Sequence, residues 1–564
     1  MTEGGRHTPV CRSGTAWYAA NMQKNRALPA VLFAVAVSAL VGGVLGRRAQ
    51  ATSDPLTDRY RVFTAALAAV EQEYVEDVES DRLVYSAISG MLQTLDPHSS
   101  FLDPRAYAQL RERQEGRYYG LGISITPIDG DITVMSLFEG SPAYRKGIRR
   151  GDVIARIEGQ DTKGWTSEQA VKVLKGPKGT QVKLWLRRAG YTDLIELSVE
   201  RDEVNIPTIK GVFMVDNETG YIRLNDFSET TDRDLGEALE TLNGKGMKRL
   251  LLDLRDNPGG PLDQAIRVSD RFLPKGDMVV YTRGRTRNSD QDYRAADADD
   301  FGTMPIIVMV NRNSASAAEI VSGALQDHDR ALIVGEKTFG KALVQSVYRI
   351  SEGAGLALTT ARYFTPSGRL IQRPWDGTFD EYLTYSLREQ KADEPHDPAN
   401  LKLTDAGRKV YGGGGIQPDK YLAGPVEGFN PSRFGRMLWA RQVFADFAQR
   451  FTAEGDTRIR GNGQTRTVTR GFTVDDGMVA DFRTYLTSRK IRVDDKALEA
   501  DDQFIRAMIQ YDIDLALFGV EEARRNLVAR DPQAQFALQH FEEAGRLPLL
   551  KSSTRSTASR QQAN

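Results

Sequence analysis

At 564 residues the chain has room for about three domains, and 40% hydrophobic content supplies material for buried cores. A net charge of −1 argues against a nucleic-acid-binding surface. One cysteine, Cys11, excludes internal disulfides and multi-cysteine zinc sites, and His7, His98, His328, His396 and His540 form neither HExxH nor a pair at ligand spacing, so neither metal nor cofactor is expected.

Residues 1–50 carry an apolar stretch, 27–46, bracketed by Arg26 and Arg47–Arg48 and long enough to span a bilayer as a helix. It equally fits the apolar part of a secretory signal. Met22 would then be the true start, Lys24 and Arg26 the charged region and Ala49-Gln50-Ala51 the cleavage site. Both readings place the bulk of the protein outside the cytoplasm: anchored in the membrane, or released. Residues 56–115 read as helices, with helical spacing in "RVFTAALAAVEQEYV" and "LVYSAISGMLQTL" until "DPHSSFLDP" breaks it. His98 in that loop is expected to be a structural hydrogen-bonding residue.

From 116 to 203 the pattern changes to short strands with one or two helices. The order of elements in "GLGISITPIDGDITVMSLFEGSPAYRKGIRRGDVIARIEGQ", with "TSEQAVKVLKG" and "QVKLWLRR" behind it, resembles a PDZ domain of the bacterial protease type. That resemblance implies capture of an extended C-terminal peptide as an added strand. The backbone N–H groups of the Gly120-Leu121-Gly122-Ile123 loop would hold its carboxylate.

Residues 204–420 alternate strand and helix, which predicts an α/β domain with helices packed on a sheet. In it "PIIVMVN" leads into the helix-like "SASAAEIVSGALQD". No GxSxG is present, and His328 lies twelve residues past Ser316 on the same expected helix, about 18 Å along its axis. A serine nucleophile here needs another base. A desolvated lysine can serve, and Lys337 and Lys341 follow in "GEKTFGKALVQ". Lys337 sits beside Glu336 in an expected solvated position. Lys341 is expected to open an alternating strand with Gln345 on the same face, able to orient the amine. Oxyanion donors are available from Gly259 and Gly260 in "LLLDLRDNPGG" and from the amide of Ala317. Asp253 and Arg255 read as ion-pair partners, the Gly412–Gly415 run as a flexible turn. Residues 421–550 turn mainly helical, and 551–564 look disordered.

The set "GYIRLNDFSE", "LLLDLRDNPGG", "NSASAAEIVSGALQDHDRALIVGEKTFGKALVQ", "YFTPSGRLIQ" and "GGGGIQPD" resembles the carboxyl-terminal processing, or tail-specific, proteases of the S41 type over roughly residues 60–420. The resemblance implies a crotonase-like α/β core with a PDZ domain inserted before it. It also implies an exported serine endopeptidase of the bacterial periplasm or cell envelope, acting on protein substrates recognised near their C-termini. By the same resemblance Ser316 is the nucleophile, Lys341 the general base, Gln345 the assisting residue, and Gly259 or Gly260 with Ala317 the oxyanion hole. Ser314 is then left as the helix cap. Ala318 stands where the family commonly has Ser, a position that is not the nucleophile. The rival readings are a catalytically silent PDZ scaffold, disfavoured by intact Ser316, Lys341 and Gln345, and an SxxK-type hydrolase, disfavoured by the gap of 25 residues between Ser316 and Lys341. The natural substrate, an adaptor protein, self-association and the role of residues 421–564 stay open.

Overall fold

The computed structural model describes residues 55–550 except 189, 298–300, 351–352, 376–381, 383, 388–396, 425–430, 454–456 and 460–464, together with Phe33, Val37 and Ser38. The 27–46 segment otherwise lies outside the described residues, as does the 551–564 tail. Among the described residues no helix is long and apolar enough to cross a membrane. Contacts divide the chain into two units, Met1–Ala87 and Ile88–Asn564. The first contains helix α1 (Pro55–Glu73), and α2 (Ser80–Gln93) runs across the division.

In the second unit, strand β1 (Ser100–Leu102) leads to α3 (Pro104–Glu115). The Asp103 side chain accepts the Ala106 N–H at the start of α3, and Gly116 ends it at φ +68°. Five strands of a six-stranded sheet follow in chain order, β2 (Ile123–Ile128), β3 (Asp131–Leu137), β4 (Val153–Ile157), β5 (Gln181–Arg187) and β6 (Ile195–Glu200), and the short strand Gln160–Asp161 pairs with β4. Their inward residues, Ile132, Val134, Ile154, Ile157, Val182 and Leu184, pack with Ala170 and Leu174 of α4 (Ser167–Leu174). Period-two burial along β5 is the pattern expected of a sheet with one face on a core. Gly122, at φ +77°, has no room for a side chain: a Cβ there would lie 2.2 Å from Ser141 Cβ.

The next domain contains a six-stranded sheet in the order β7 (Ile209–Met214), β8 (Thr219–Leu224), β9 (Arg249–Asp253), β12 (Ile306–Val310), β13 (Leu332–Gly335) and β16 (Lys420–Tyr421). All pairs are parallel except β7–β8. Both faces are covered, which explains the near-continuous apolar runs. Leu250, Leu252, Ile306 and Val308 face α5 (Thr231–Gly244), α6 (Leu262–Asp270) and α7 (Ala317–Asp327). Their neighbours Leu251, Ile307 and Met309 face the other way, against Val528, Ala534, Ala537 and Phe541. The sequence pattern suggested one sheet, but the chain builds a second, antiparallel one. It runs β1, β15 (Gly355–Phe364), β10 (Met278–Gly284) and β11 (Gln291–Arg294), with β14 (Leu343–Arg349) also on β15.

Beyond residue 430 the chain is mostly helical: α8 (Arg433–Ala440), α9 (Val443–Ala453), α10 (Asp476–Ser488), α11 (Asp495–Ala500), α12 (Asp502–Leu517), α13 (Val520–Arg530) and α14 (Pro532–Leu538), then a helix over 541–550. Helices α8–α12 share an aromatic-rich core in which Phe444 stacks on Phe482 at 5.2 Å. This extension also meets the 116–203 region, where Arg150 pairs with Asp512 at 3.0 Å.

Candidate active site

The 311–315 stretch leaves buried strand β12 and turns into α7 through Ser316, whose φ of 54° and ψ of −113° fall where L-residues are rarely found. Such a conformation persists only where its surroundings hold it. Here the Glu319 carboxylate accepts the Ser316 N–H at 2.8 Å, and the Tyr363 hydroxyl lies 3.1 Å from the Ser316 carbonyl. The helix begins at Ala317, three residues later than the spacing suggested. Ser314 is therefore not its cap: the Ser314 hydroxyl accepts the Asn311 N–H at 2.9 Å and donates to the Leu254 carbonyl at 2.8 Å.

Glu319 was not singled out in the sequence, yet it organises the site. Fully buried, it accepts hydrogen bonds from Ser316 N–H, Lys341 N–H (2.9 Å), Gly340 N–H (2.7 Å) and the Thr338 hydroxyl (2.5 Å). Burial pushes its pKa up, against the pull of those donors. One carboxylate thus ties the backbone of the serine turn to that of the lysine loop. Tyr363 of β15 makes the same tie from another side, its hydroxyl 2.5 Å from the Lys341 carbonyl. The only sequence signal for Glu319 was its position three residues after Ser316, the spacing of a capping box.

Lys341 is half-buried, and removal of its amine from water lowers its pKa, while Glu319 and Asp96 oppose the shift. It does not open a strand: β14 starts at Leu343, and a bulge between Val344 and Gln345 interrupts the alternation. Spacing of four therefore does not place Lys341 and Gln345 on one strand face. They meet instead as walls of one cavity of about 380 Å³, which Ser316, Gly259 and Gly260 also line. The Gln345 amide donates to the Thr359 hydroxyl at 3.4 Å.

The glycine loop approaches the serine turn as closely as backbone allows. A Cβ on Gly259 would lie 2.8 Å from Ser316 Cβ and from the Ala317 nitrogen, and one on Gly260 would lie 2.2 Å from the Phe227 carbonyl oxygen. The Gly259 N–H is already given to the Asn257 side chain at 2.8 Å, whereas Gly260 is exposed. Of the two candidate glycines, Gly259 thus has its amide engaged, and Ala317 stands at the first turn of α7.

His98 was expected to be structural. It does hydrogen-bond Tyr382 (Nε2 to hydroxyl oxygen, 2.9 Å), and it also lines the cavity. Burial, then the Lys341 charge, lowers its pKa to about 4, so the ring is neutral at pH 7. In the same loop, burial acts to raise the Asp96 pKa. Hydrogen bonds from Ser99, His98 and Thr359 outweigh it and hold the carboxylate below its ordinary value. Lys337, expected to be solvated, is half-buried, and its neighbour Glu336 is buried with Arg312 Nε 3.0 Å from its carboxylate. The Gly412–Gly415 run is packed rather than flexible: the Gly415 N–H donates to Ile371, and a Cβ there would lie 2.4 Å from the Thr338 carbonyl oxygen. Among the described residues, Asp277, His328 and Asp405 bring ligand-type atoms within 4.8 Å. His328 Nδ1 is 2.8 Å from Asp405 and Nε2 is 2.7 Å from the Met278 carbonyl, so both ring nitrogens have protein partners.

Family models match three segments: peptidase family S41 over 218–378, the PDZ domain over 109–187, and the activating protease CtpB N-terminal domain over 44–106. A carboxy-terminal-processing protease of Bartonella bacilliformis is 42% identical over 307 residues, covering 54% of this chain and 70% of that protein. The carboxy-terminal processing protease CtpA of Bacillus subtilis is 34% identical over 390 residues, covering 68% of this chain and 80% of that one. The chain belongs to the carboxy-terminal processing proteases of peptidase family S41. Among solved structures, a photosystem II D1 C-terminal processing protease is 28% identical and covers 64% of this chain and 93% of that chain; its TM-score of 0.33 adds nothing to the assignment. The protease is thus a serine peptidase with a PDZ domain and a helical C-terminal region.

Proposed function

We propose that this protease cleaves peptide bonds with a Ser316–Lys341 dyad, assisted by Gln345. The observation that carries the reading is the meeting of the strained serine turn, the desolvated lysine and the glycine loop at one cavity. Ser316 Oγ attacks the substrate carbonyl while neutral Lys341 takes its proton, then gives it to the leaving amine. The oxyanion faces the Gly260 and Ala317 amides at the positive end of α7. Water then releases the acyl group, with Lys341 as base again. Since burial lowers the lysine pKa, the acid limb of kcat/KM is expected below the ordinary lysine value of 10.5. Ser316→Ala and Lys341→Ala should each remove cleavage of a peptide with an apolar C-terminus; retained cleavage in both ends the dyad reading.

The PDZ domain is read as the tether, or the gate, for substrates with exposed C-termini. The Gly120–Ile123 loop lies within that domain, apart from the Ser316 cavity, and Gly122 keeps its side-chain-free turn. The apolar 27–46 stretch supports an envelope location, as inner-membrane anchor or cleaved signal. Fractionation of cells expressing the full chain tests this. Protease in the membrane or periplasmic fraction is expected, and a wholly cytoplasmic protein would overturn it.

A further inference from the structure

The loop that carries Gly260 begins at the end of β9, where Asp253 is fully buried. Two residues on, the Arg255 guanidinium is also buried and lies between two carboxylates. Its Nη2 is 2.7 Å from Asp253 Oδ2 and 2.6 Å from Asp531 Oδ2. Its Nη1 donates to Gln533 Oε1 at 3.0 Å, a residue 278 positions downstream. Asp531 and Gln533 sit at the first turn of α14, in the extension. There Asp531 Oδ1 caps the helix by accepting the Gln533 and Ala534 N–H groups at 2.9 and 3.3 Å. The same carboxylate therefore faces the helix with one oxygen and the protease loop with the other.

What Arg255 holds is close to the chemistry. Its neighbours Leu254, Asp256 and Asn257 are knitted to the stretch before Ser316. Leu254 accepts from the Ser314 hydroxyl, Asp256 from the Asn311 and Asn313 amides, and the Asn257 carbonyl from the Ala315 N–H at 2.9 Å. The Asn257 side chain then fixes the Gly259 amide. Apolar packing also docks α14 and the helix after it, with Ala534, Ala537 and Phe541 buried against Leu251, Ile307 and Met309 of the sheet.

We infer that the C-terminal extension supplies Asp531, aided by Gln533, as a positioning residue that sets Arg255 and through it the Gly259–Gly260 oxyanion loop. This gives residues beyond 430 a part in catalysis, and it rests on the Ser316–Lys341 reading above. Removing the Asp531 carboxylate leaves Arg255 paired with Asp253, so the fold should survive while the loop loses its second anchor.

The test uses the full chain with Asp531→Ala, Asp531→Asn, Asp531→Glu and Gln533→Ala. It measures β-casein cleavage, affinity for a peptide boronic acid that forms a tetrahedral adduct with a serine, and the melting temperature. The expected result for Asp531→Ala is a kcat lower by about tenfold or more, KM within about twofold, and boronate affinity reduced in step with kcat. Asp531→Glu should recover part of the loss. Should Asp531→Ala not fold, Asp531→Asn, which keeps shape and cap acceptor but not charge, carries the same expectation. Wild-type kcat and boronate affinity in a folded variant would overturn the inference, as would a loss that follows the melting temperature and leaves boronate affinity intact. Ser316→Ala is measured in parallel: boronate binding unchanged in that variant would fault the dyad reading instead.

Discussion

At the scale of single residues, the site depends on groups placed where their ordinary preferences are overridden. Ser316 has a backbone conformation that costs roughly 1–3 kcal/mol, and Glu319 and Tyr363 hold it there. Lys341 is drawn away from water, and His98 beside it is held neutral. The His98 shift has a consequence for stability. Its pKa falls from 6.5 to about 4 on folding, so between those values the unfolded chain takes up a proton that the folded chain refuses. His98 therefore makes stability rise with pH across that window and fall on acidification through it. Denaturant unfolding at pH 4.5 and pH 7 should show a larger acid loss in the parent protein than in His98→Gln; equal losses would rule this out.

Among the elements, individual turns are held by close contacts. The β2 loop of the PDZ domain is an example: Gly122 has φ +77° and Ser141 Cβ stands where its own Cβ would fall. Gly122→Ala is therefore expected to shift the loop whose amides would take a terminal carboxylate. Cleavage of substrates with a free apolar tail should drop by about tenfold or more, the scale of a lost oriented hydrogen bond to a charge, while that of unstructured casein changes little. Equal loss on both substrates would show that the loop acts on the protease core rather than on tail capture. The β14 bulge makes a related point, since it sets where Gln345 sits and no periodicity announces it.

Across the molecule, the helical extension seals the outer face of the six-stranded sheet. Phe541 and Leu547 are nearly fully buried there beside Phe213, Leu332 and Val334, and the Arg249 guanidinium lies 4.9 Å from the Phe541 ring centroid. Phe541→Ala should cost about 3–5 kcal/mol of stability, read by chemical denaturation, because large-to-small changes in a packed core lose both transfer and cavity terms. A cost under about 1 kcal/mol would mean the extension is only loosely laid on the sheet. A parallel sheet needs both faces covered, and here the second cover comes from a segment hundreds of residues away in sequence.

The sequence by itself determined the family, the division into PDZ-like, α/β and helical parts, and the residues Ser316, Lys341, Gln345, Gly259, Gly260 and Ala317 as candidates. Motif order and local periodicity carry that information within short windows. The tertiary structure decided what depends on groups far apart in the chain. It placed Glu319 between the serine turn and the lysine loop, gave the Gly259 amide to Asn257, and brought His98 to the cavity wall. It also moved the helix start from Ser314 to Ala317, and set Asp531 against Arg255. Buried polar groups must find partners wherever the fold supplies them, and that demand leaves no local pattern in a sequence.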